Sequence, residues 1–237
     1  MRPIRHHVPL PLVAAFLCGV LAALSIRLAF MIAAANTQQP APHPQTEQSE
    51  TANDVPADPK PAGTFMPLYL QTEPQWASVP YAGGTICDSG CGLTCAAMAV
   101  TYLTGQEVTP PDLAAAVGDS CLTDGVNDPE KFGKWIVETY HDSGITSTGK
   151  LYRLDDALEQ VDAGAIAFAG IHNGTLGDAA YTGHVVMIWR HDDDGYWVRD
   201  PDSGVNSTRA FSREELEQAN LVYFVCMKGG TNGDAGN

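Results

Sequence analysis

The chain has 237 residues, with 28 acids against 13 Lys and Arg, and a formal net charge of −15 at pH 7. All the acids lie beyond residue 36, so that part repels polyanions: nucleic acid is excluded as a ligand, and anionic wall polymers are disfavoured at long range and low salt. Residues 64–228 contain no internal repeat and suffice for one modest hydrophobic core.

Residues 1–11 carry Arg2, Arg5, His6 and His7 and no acid, and residues 12–35 are almost wholly apolar, interrupted by Arg27. At about 1.5 Å rise per residue that segment crosses a bilayer core with some tilt. Arg27 would cost about 2.5–3.5 kcal/mol near the centre unless its stem snorkels outward. The expectation is a single-pass signal anchor with its N-terminus inside the cell membrane and the rest outside. Ala33-Ala34-Ala35 leaves open a cleaved signal peptide and a secreted product. Residues 36–63, rich in Pro, Gln, Thr, Ala and acids, predict a disordered spacer.

Leu93, Ala96, Ala97, Val100 and Leu103 recur at helical spacing until Gly105 stops them, so a buried helix of about three to four turns should start near Cys91. Thr109-Pro110 and Asp128-Pro129 read as N-cap and first-turn pairs of two further helices. Asp155 or Asp156 should begin a short helix, and Ser212 with Glu215 forms a capping box for another. Strands are expected at 165–171, 185–189, 196–198 and 221–226, with a hairpin turn at Asp192-Asp193-Asp194-Gly195. Residues 229–237 read as a loose tail. The fold class is α+β, helices packed on an antiparallel sheet.

Cys91 lies between Gly90 and Gly92 at a helix N-terminus, where unpaired amides and aligned dipoles favour a thiolate. Taken alone it reads equally well as a buried half-cystine. Gly183-His184-Val185 through Trp189 reads as a strand with His184 at its first position, and the antiparallel return from Tyr196 brings Asp200 beside it. Singly, these two read as a capping His and an Asp-Pro turn; with Cys91 they form a nucleophile, a base and an orienting carboxylate. His172, in a glycine-rich approach to His184, is the rival base, although a loop histidine is the plainer reading.

Pro67-Leu68-Tyr69-Leu70-Gln71, Pro74-Gln75-Trp76-Ala77, Val79-Pro80-Tyr81, Gly90-Cys91-Gly92, Gly183-His184 and Arg199-Asp200-Pro201 together resemble the bacterial papain-fold cysteine peptidases related to bacteriocin-leader peptidases. The resemblance implies a papain-like fold with Cys91 as nucleophile, His184 as base, Asp200 orienting it, and Gln71 as oxyanion donor alongside the Cys91 amide; Gln75 is the competing choice. Related chains often carry Pro where this one has Leu93, a difference to which catalysis should be indifferent. The Cys91 to His184 interval, 184 − 91 = 93 residues, is also shorter than in plant or lysosomal enzymes.

With Cys91 free, Cys87, Cys95, Cys121 and Cys226 remain in the exported part and allow three pairings. The expected pairs are Cys87 with Cys121 and Cys95 with Cys226. Cys87, Cys91 and Cys95 lack the paired spacing of a zinc site, Asp192 to Asp194 lacks that of a calcium loop, and no cofactor is expected. Asn173-Gly174-Thr175 and Asn206-Ser207-Thr208 match glycosylation sequons that matter only in a eukaryotic secretory host.

The expected protein is a monomeric, membrane-anchored cysteine peptidase or amidase acting on a peptide or cell-wall peptide through a thioester. A papain-fold acyltransferase and an inactive extracellular binding module are the alternatives. Leader-peptide processing lacks support, since no multi-span transporter region or phosphate-binding glycine loop is present in the sequence.

Overall fold

Residues 63–230 are described in a computed structural model. The basic start, the apolar segment at 12–35, nearly all of the spacer at 36–63 and most of the tail lie outside the described residues. Among the described residues, no helix is long and apolar enough to cross a membrane.

Two small hairpins flank the helical half: β1 (Pro80–Tyr81) with β2 (Gly84–Thr85), and β3 (Leu122–Thr123) with β4 (Val126–Asn127). Between and after them lie α1 (Ile86–Ser89), α2 (Cys91–Thr104), α3 (Pro110–Val117) and α4 (Pro129–Thr139). Thr109 and Asp128 cap α3 and α4 with a proline following, as the sequence predicts. The left-handed Gly105, φ 73°, ends α2.

The second half is a six-stranded antiparallel sheet in the order β5-β10-β6-β7-β8-β9. Its strands are β5 (Thr146–Ser147), β6 (Ile166–Leu176), β7 (Ala179–Asp192), β8 (Gly195–Arg199), β9 (Ala210–Phe211) and β10 (Leu221–Lys228). Helices α5 (Leu154–Asp162) and α6 (Arg213–Gln218) complete the α+β fold.

Strand alternation divides the core between the two sheet faces. Phe168, Val185, Met187, Val225 and Met227 pack with the buried α2 and with Phe132 and Ile136 of α4. Ala167, Ala169, Val186, Ile188, Phe224 and Cys226 pack with Leu158 and Val161 of α5 and Leu216 of α6. Helix α2 is thus covered almost all round, which fixes the position of its first residue, Cys91.

Three expectations need correction. The strands at 165–171 and 185–189 are parts of a longer β6–β7 ribbon, so His184 lies within β7 rather than at its start. Gly174, Gly177, Gly183 and the Ala179-Ala180 pair give that extension little intrinsic strand preference, and cross-strand pairing imposes it. Helix α5 starts at Leu154, after Arg153, because Asp155 and Asp156 occupy its first turn, where carboxylates suit the dipole, rather than capping it.

The third concerns the cysteines: Cys87, Cys91, Cys95, Cys121 and Cys226 are all free thiols. Cys95 and Cys226 belong to the cores on opposite sides of the sheet, and Cys95 Sγ meets the Val185 carbonyl at 3.5 Å. Cys121 is buried in the first core with Ser120 Oγ 3.8 Å from its sulfur, whereas Cys87 sits half-buried on α1.

Candidate active site

The chain reaches Cys91 through the single turn of α1, capped by Thr85, whose hydroxyl accepts from the Asp88 amide. Gly90 then donates its N–H to the Ile86 carbonyl at 2.8 Å. A Cβ on Gly90 would lie 2.3 Å from that carbonyl oxygen, so only glycine fits. Cys91 is the first residue of α2 and half-buried, and the first-turn amides of a helix have no partner within it. Asn127 braces the approach: its Nδ2 donates to the Ser89 carbonyl at 2.6 Å and its Oδ1 accepts from Tyr81 Oη at 2.9 Å.

His184 Nε2 lies 2.8 Å from Asp200 Oδ1, as the hairpin reading anticipates, and both residues are buried. The last ladder pair before Asp200 is Arg199 with Met187, after which the chain turns the carboxylate toward His184. Cys91 lies near enough to His184 for its side chain to raise the histidine's pKa. With Nε2 committed to Asp200, Nδ1 is the ring nitrogen left to face the sulfur. Burial pulls the His184 pKa down, but the hydrogen bond to Asp200, then the nearby Cys91 side chain, raise it to about 9.

Asp200 is fully enclosed and fully partnered. Its Oδ1 also accepts from the Asp202 amide at 3.1 Å, while its Oδ2 accepts from Tyr181 Oη at 2.7 Å and Asn206 Nδ2 at 2.9 Å. Ser207 Oγ accepts from the Asp200 amide at 2.8 Å and donates to its carbonyl at 2.9 Å. Burial alone would raise the carboxyl pKa; His184, Asn206 and Tyr181 outweigh that and lower it.

Gln71 is buried, and its Nε2 donates to the Cys87 carbonyl at 2.6 Å, one helical turn before Cys91. Its backbone N–H donates to the Pro201 carbonyl at 2.7 Å, so one residue joins the approach to Cys91 and the turn after Asp200. Arg199 holds the preceding segment through Nε to the Pro67 carbonyl at 3.0 Å, Nη2 to Met66 at 3.3 Å and Nη1 to Ser207 at 2.6 Å. Burial, with the charge of Arg190 beside it, lowers the Arg199 pKa to about 10.

The rival residues lie elsewhere. Gln75 is exposed, with its Nε2 on Glu73 Oε2 at 2.8 Å. His172 is exposed, with Asn173 Nδ2 3.0 Å from its Nε2. Asn206 of the second sequon is 2% exposed and committed to Asp200, so it offers no site for a glycan. Sequence reasoning missed Tyr181 and Asn206. The sequon triplet drew attention to Asn206 for the wrong chemistry, and no spacing signal links Tyr181 to His184.

A profile of the Peptidase_C39 like family matches residues 66–224, which contain all four predicted site residues. The chain belongs to that family. Among solved structures, it is similar to the crystal structure of a Bacillus anthracis protein assigned to the C39-like peptidases, at 15% identity and a TM-score of 0.43, covering 69% of this chain and 94% of the other. No curated protein matches. Membership in the C39-like family accords with the α+β layout, a helix bearing Cys91 against a sheet bearing His184, and makes the domain papain-like. The family is one of cysteine peptidases.

Proposed function

We propose that this C39-like protein is an exported, membrane-anchored cysteine peptidase or amidase that cleaves a peptide or amide bond through Cys91, His184 and Asp200. The observation carrying the proposal is the single imidazole shared between a helix-terminal sulfur and a buried carboxylate. The raised His184 pKa supports an imidazolium beside Cys91 at neutral pH.

In the first step the thiolate attacks the carbonyl carbon. The oxyanion accepts from the Cys91 amide and from the Gln71 Nε2 hydrogen that the Cys87 carbonyl does not use. His184 Nδ1 then gives its proton to the departing amine, leaving a thioester on Cys91. Neutral His184 next takes a proton from water, the resulting hydroxide attacks the thioester, and the acid leaves as the thiolate and imidazolium re-form. Asp200 holds the proton on Nε2 throughout.

The test is labelling by a thiol-directed activity probe combined with peptide hydrolysis. Selective modification of Cys91 that disappears in His184→Ala, with turnover abolished in Cys91→Ala, is the expected result. A wild-type Cys91 no more reactive than that of His184→Ala overturns the proposal. Product masses measured with an added amine distinguish hydrolysis from acyl transfer.

A further inference from the structure

The Tyr181 ring lies parallel to the His184 imidazole, with centroids 4.1 Å apart and planes 12° from coplanar. On a regular strand, residues three apart point to opposite faces, so Tyr181 and His184 of β7 should not meet. A bend in the β6–β7 ribbon brings them together. Asn173 is left-handed, φ 47°, and the ladder pairs His172 with Gly183 and Gly174 with Tyr181 without pairing Asn173 to Thr182.

The surrounding chain holds the bend. Asn220 Nδ2 donates to the His172 carbonyl, and the Asn220 carbonyl accepts from the His172 amide at 3.3 Å. A Cβ on Gly174 would lie 2.1 Å from the Ala219 carbonyl oxygen, so the ribbon sits directly against the end of α6. Beyond the bend, Gly177 approaches Asn206 so closely that a Cβ there would lie 2.2 Å from Asn206 Oδ1. Asn206 Nδ2 bonds both the Leu176 carbonyl and Asp200, each at 2.9 Å. Both arms of the ribbon therefore reach the same carboxylate, one through Asn206 and the other through Tyr181 Oη.

We propose that Tyr181 is a positioning residue for the peptidase reaction, stacking on His184 and donating to Asp200 so that the bond between them stays aligned and shielded from water. This rests on the peptidase reading for its kinetic consequence but not for its physical one. Ring and hydroxyl have separable tasks. The ring restricts rotation of the imidazole and keeps bulk water from its Asp200 bond; the hydroxyl spreads the carboxylate charge, moderating its pull on the Nε2 proton. Phenylalanine keeps the first task alone, and leucine keeps neither.

The experiment uses the full-length chain and its Tyr181→Phe and Tyr181→Leu variants. It follows the His184 titration and the downfield proton between His184 and Asp200 by NMR, together with peptide turnover. Tyr181→Phe is expected to retain that proton signal, raise the His184 midpoint and slow turnover about tenfold, the order expected from losing a hydrogen bond to a charged group. Tyr181→Leu is expected to lose the signal to solvent exchange and slow turnover further. A phenylalanine variant with the wild-type midpoint and turnover, or a leucine variant retaining the protected proton, overturns the proposal whatever happens to the melting temperature. If wild type cleaves no peptide but the NMR changes occur as described, the peptidase reading fails and the positioning of His184 stands.

Discussion

Gly92 and Asn127 touch so closely that no side chain fits at position 92: a Cβ there would lie 2.6 Å from the Asn127 Cβ. The contact sets the second residue of α2, the helix that begins at Cys91, against the hairpin that braces Ser89. Gly92→Ala should cost about 1–3 kcal/mol through overpacking and slow alkylation of Cys91. Asn127→Gly removes the clashing Cβ but strands the Tyr81 hydroxyl and Ser89 carbonyl. The double variant should be more stable than the sum of the single losses predicts, as a cycle of chemical denaturations would reveal.

Gln71 and Gln75 occupy different environments, one buried beside the Cys87 carbonyl and the other exposed beside Glu73. Gln71→Ala should lower kcat by about a hundredfold or more while leaving Cys91 reactive to a small alkylating agent. Gln75→Ala should retain wild-type kcat. Steady-state kinetics on the two variants decide which glutamine serves the oxyanion.

Arg199 reaches three carbonyl oxygens with three different nitrogens. Lysine keeps the charge but has one compact head in place of a planar fork. Arg199→Lys should therefore loosen Met66 and Pro67, and with them Gln71, reducing kcat and speeding amide exchange in this segment. Hydrogen exchange with unchanged protection at 66–71 would contradict that coupling.

The pH dependence of stability has two limbs of known sign. His184 is raised from 6.5 to about 9 in the fold, so its contribution is fully present below pH 6.5 and lost as pH rises through 9. Asp200 is lowered from 3.8, so its contribution is present above that value and lost as pH falls through its folded pKa. The stability advantage of wild type over His184→Asn should shrink between pH 6.5 and 9, measured by urea unfolding.

The thiols should divide by accessibility. Cys95, Cys121 and Cys226 are at most 2% exposed, and burial raises their pKa values, whereas Cys87 and Cys91 are half-buried. Iodoacetamide on the native protein should modify Cys91, then Cys87, and reach the other three only after unfolding. Peptide mass mapping reads the order directly, and early modification of Cys95 would contradict the packing.

Local chemistry made much of this site readable in advance. The Gly90-Cys91-Gly92 step, the helix stopped by Gly105 and the Asp192–Gly195 turn rest on short-range patterns that the fold obeys. The contact between His184 and Asp200 followed because hairpin return is also a local rule. Tyr181 was invisible for the opposite reason: alternation places it on the wrong face, and the irregularity where the facing strand carries the left-handed Asn173, held by Asn220, is a tertiary feature that no local pattern announces. The cysteine pairing failed because counting thiols says nothing about which side of a sheet each one faces.

The four donors on Asp200 have a consequence for how this enzyme family member can change. A Cys-His-Asn arrangement serves other papain-like proteases, but an amide at 200 would present N–H groups to one of two donor pairs, either His184 with the Asp202 amide or Tyr181 with Asn206. The tyrosine hydroxyl has the freedom to turn round and accept. Asn206 could accept only by surrendering its bond to the Leu176 carbonyl, His184 only by losing the reactive tautomer, and the Asp202 backbone amide not at all. Exchange of acid for amide is therefore no single evolutionary step here, since loop and ribbon would have to be rebuilt together.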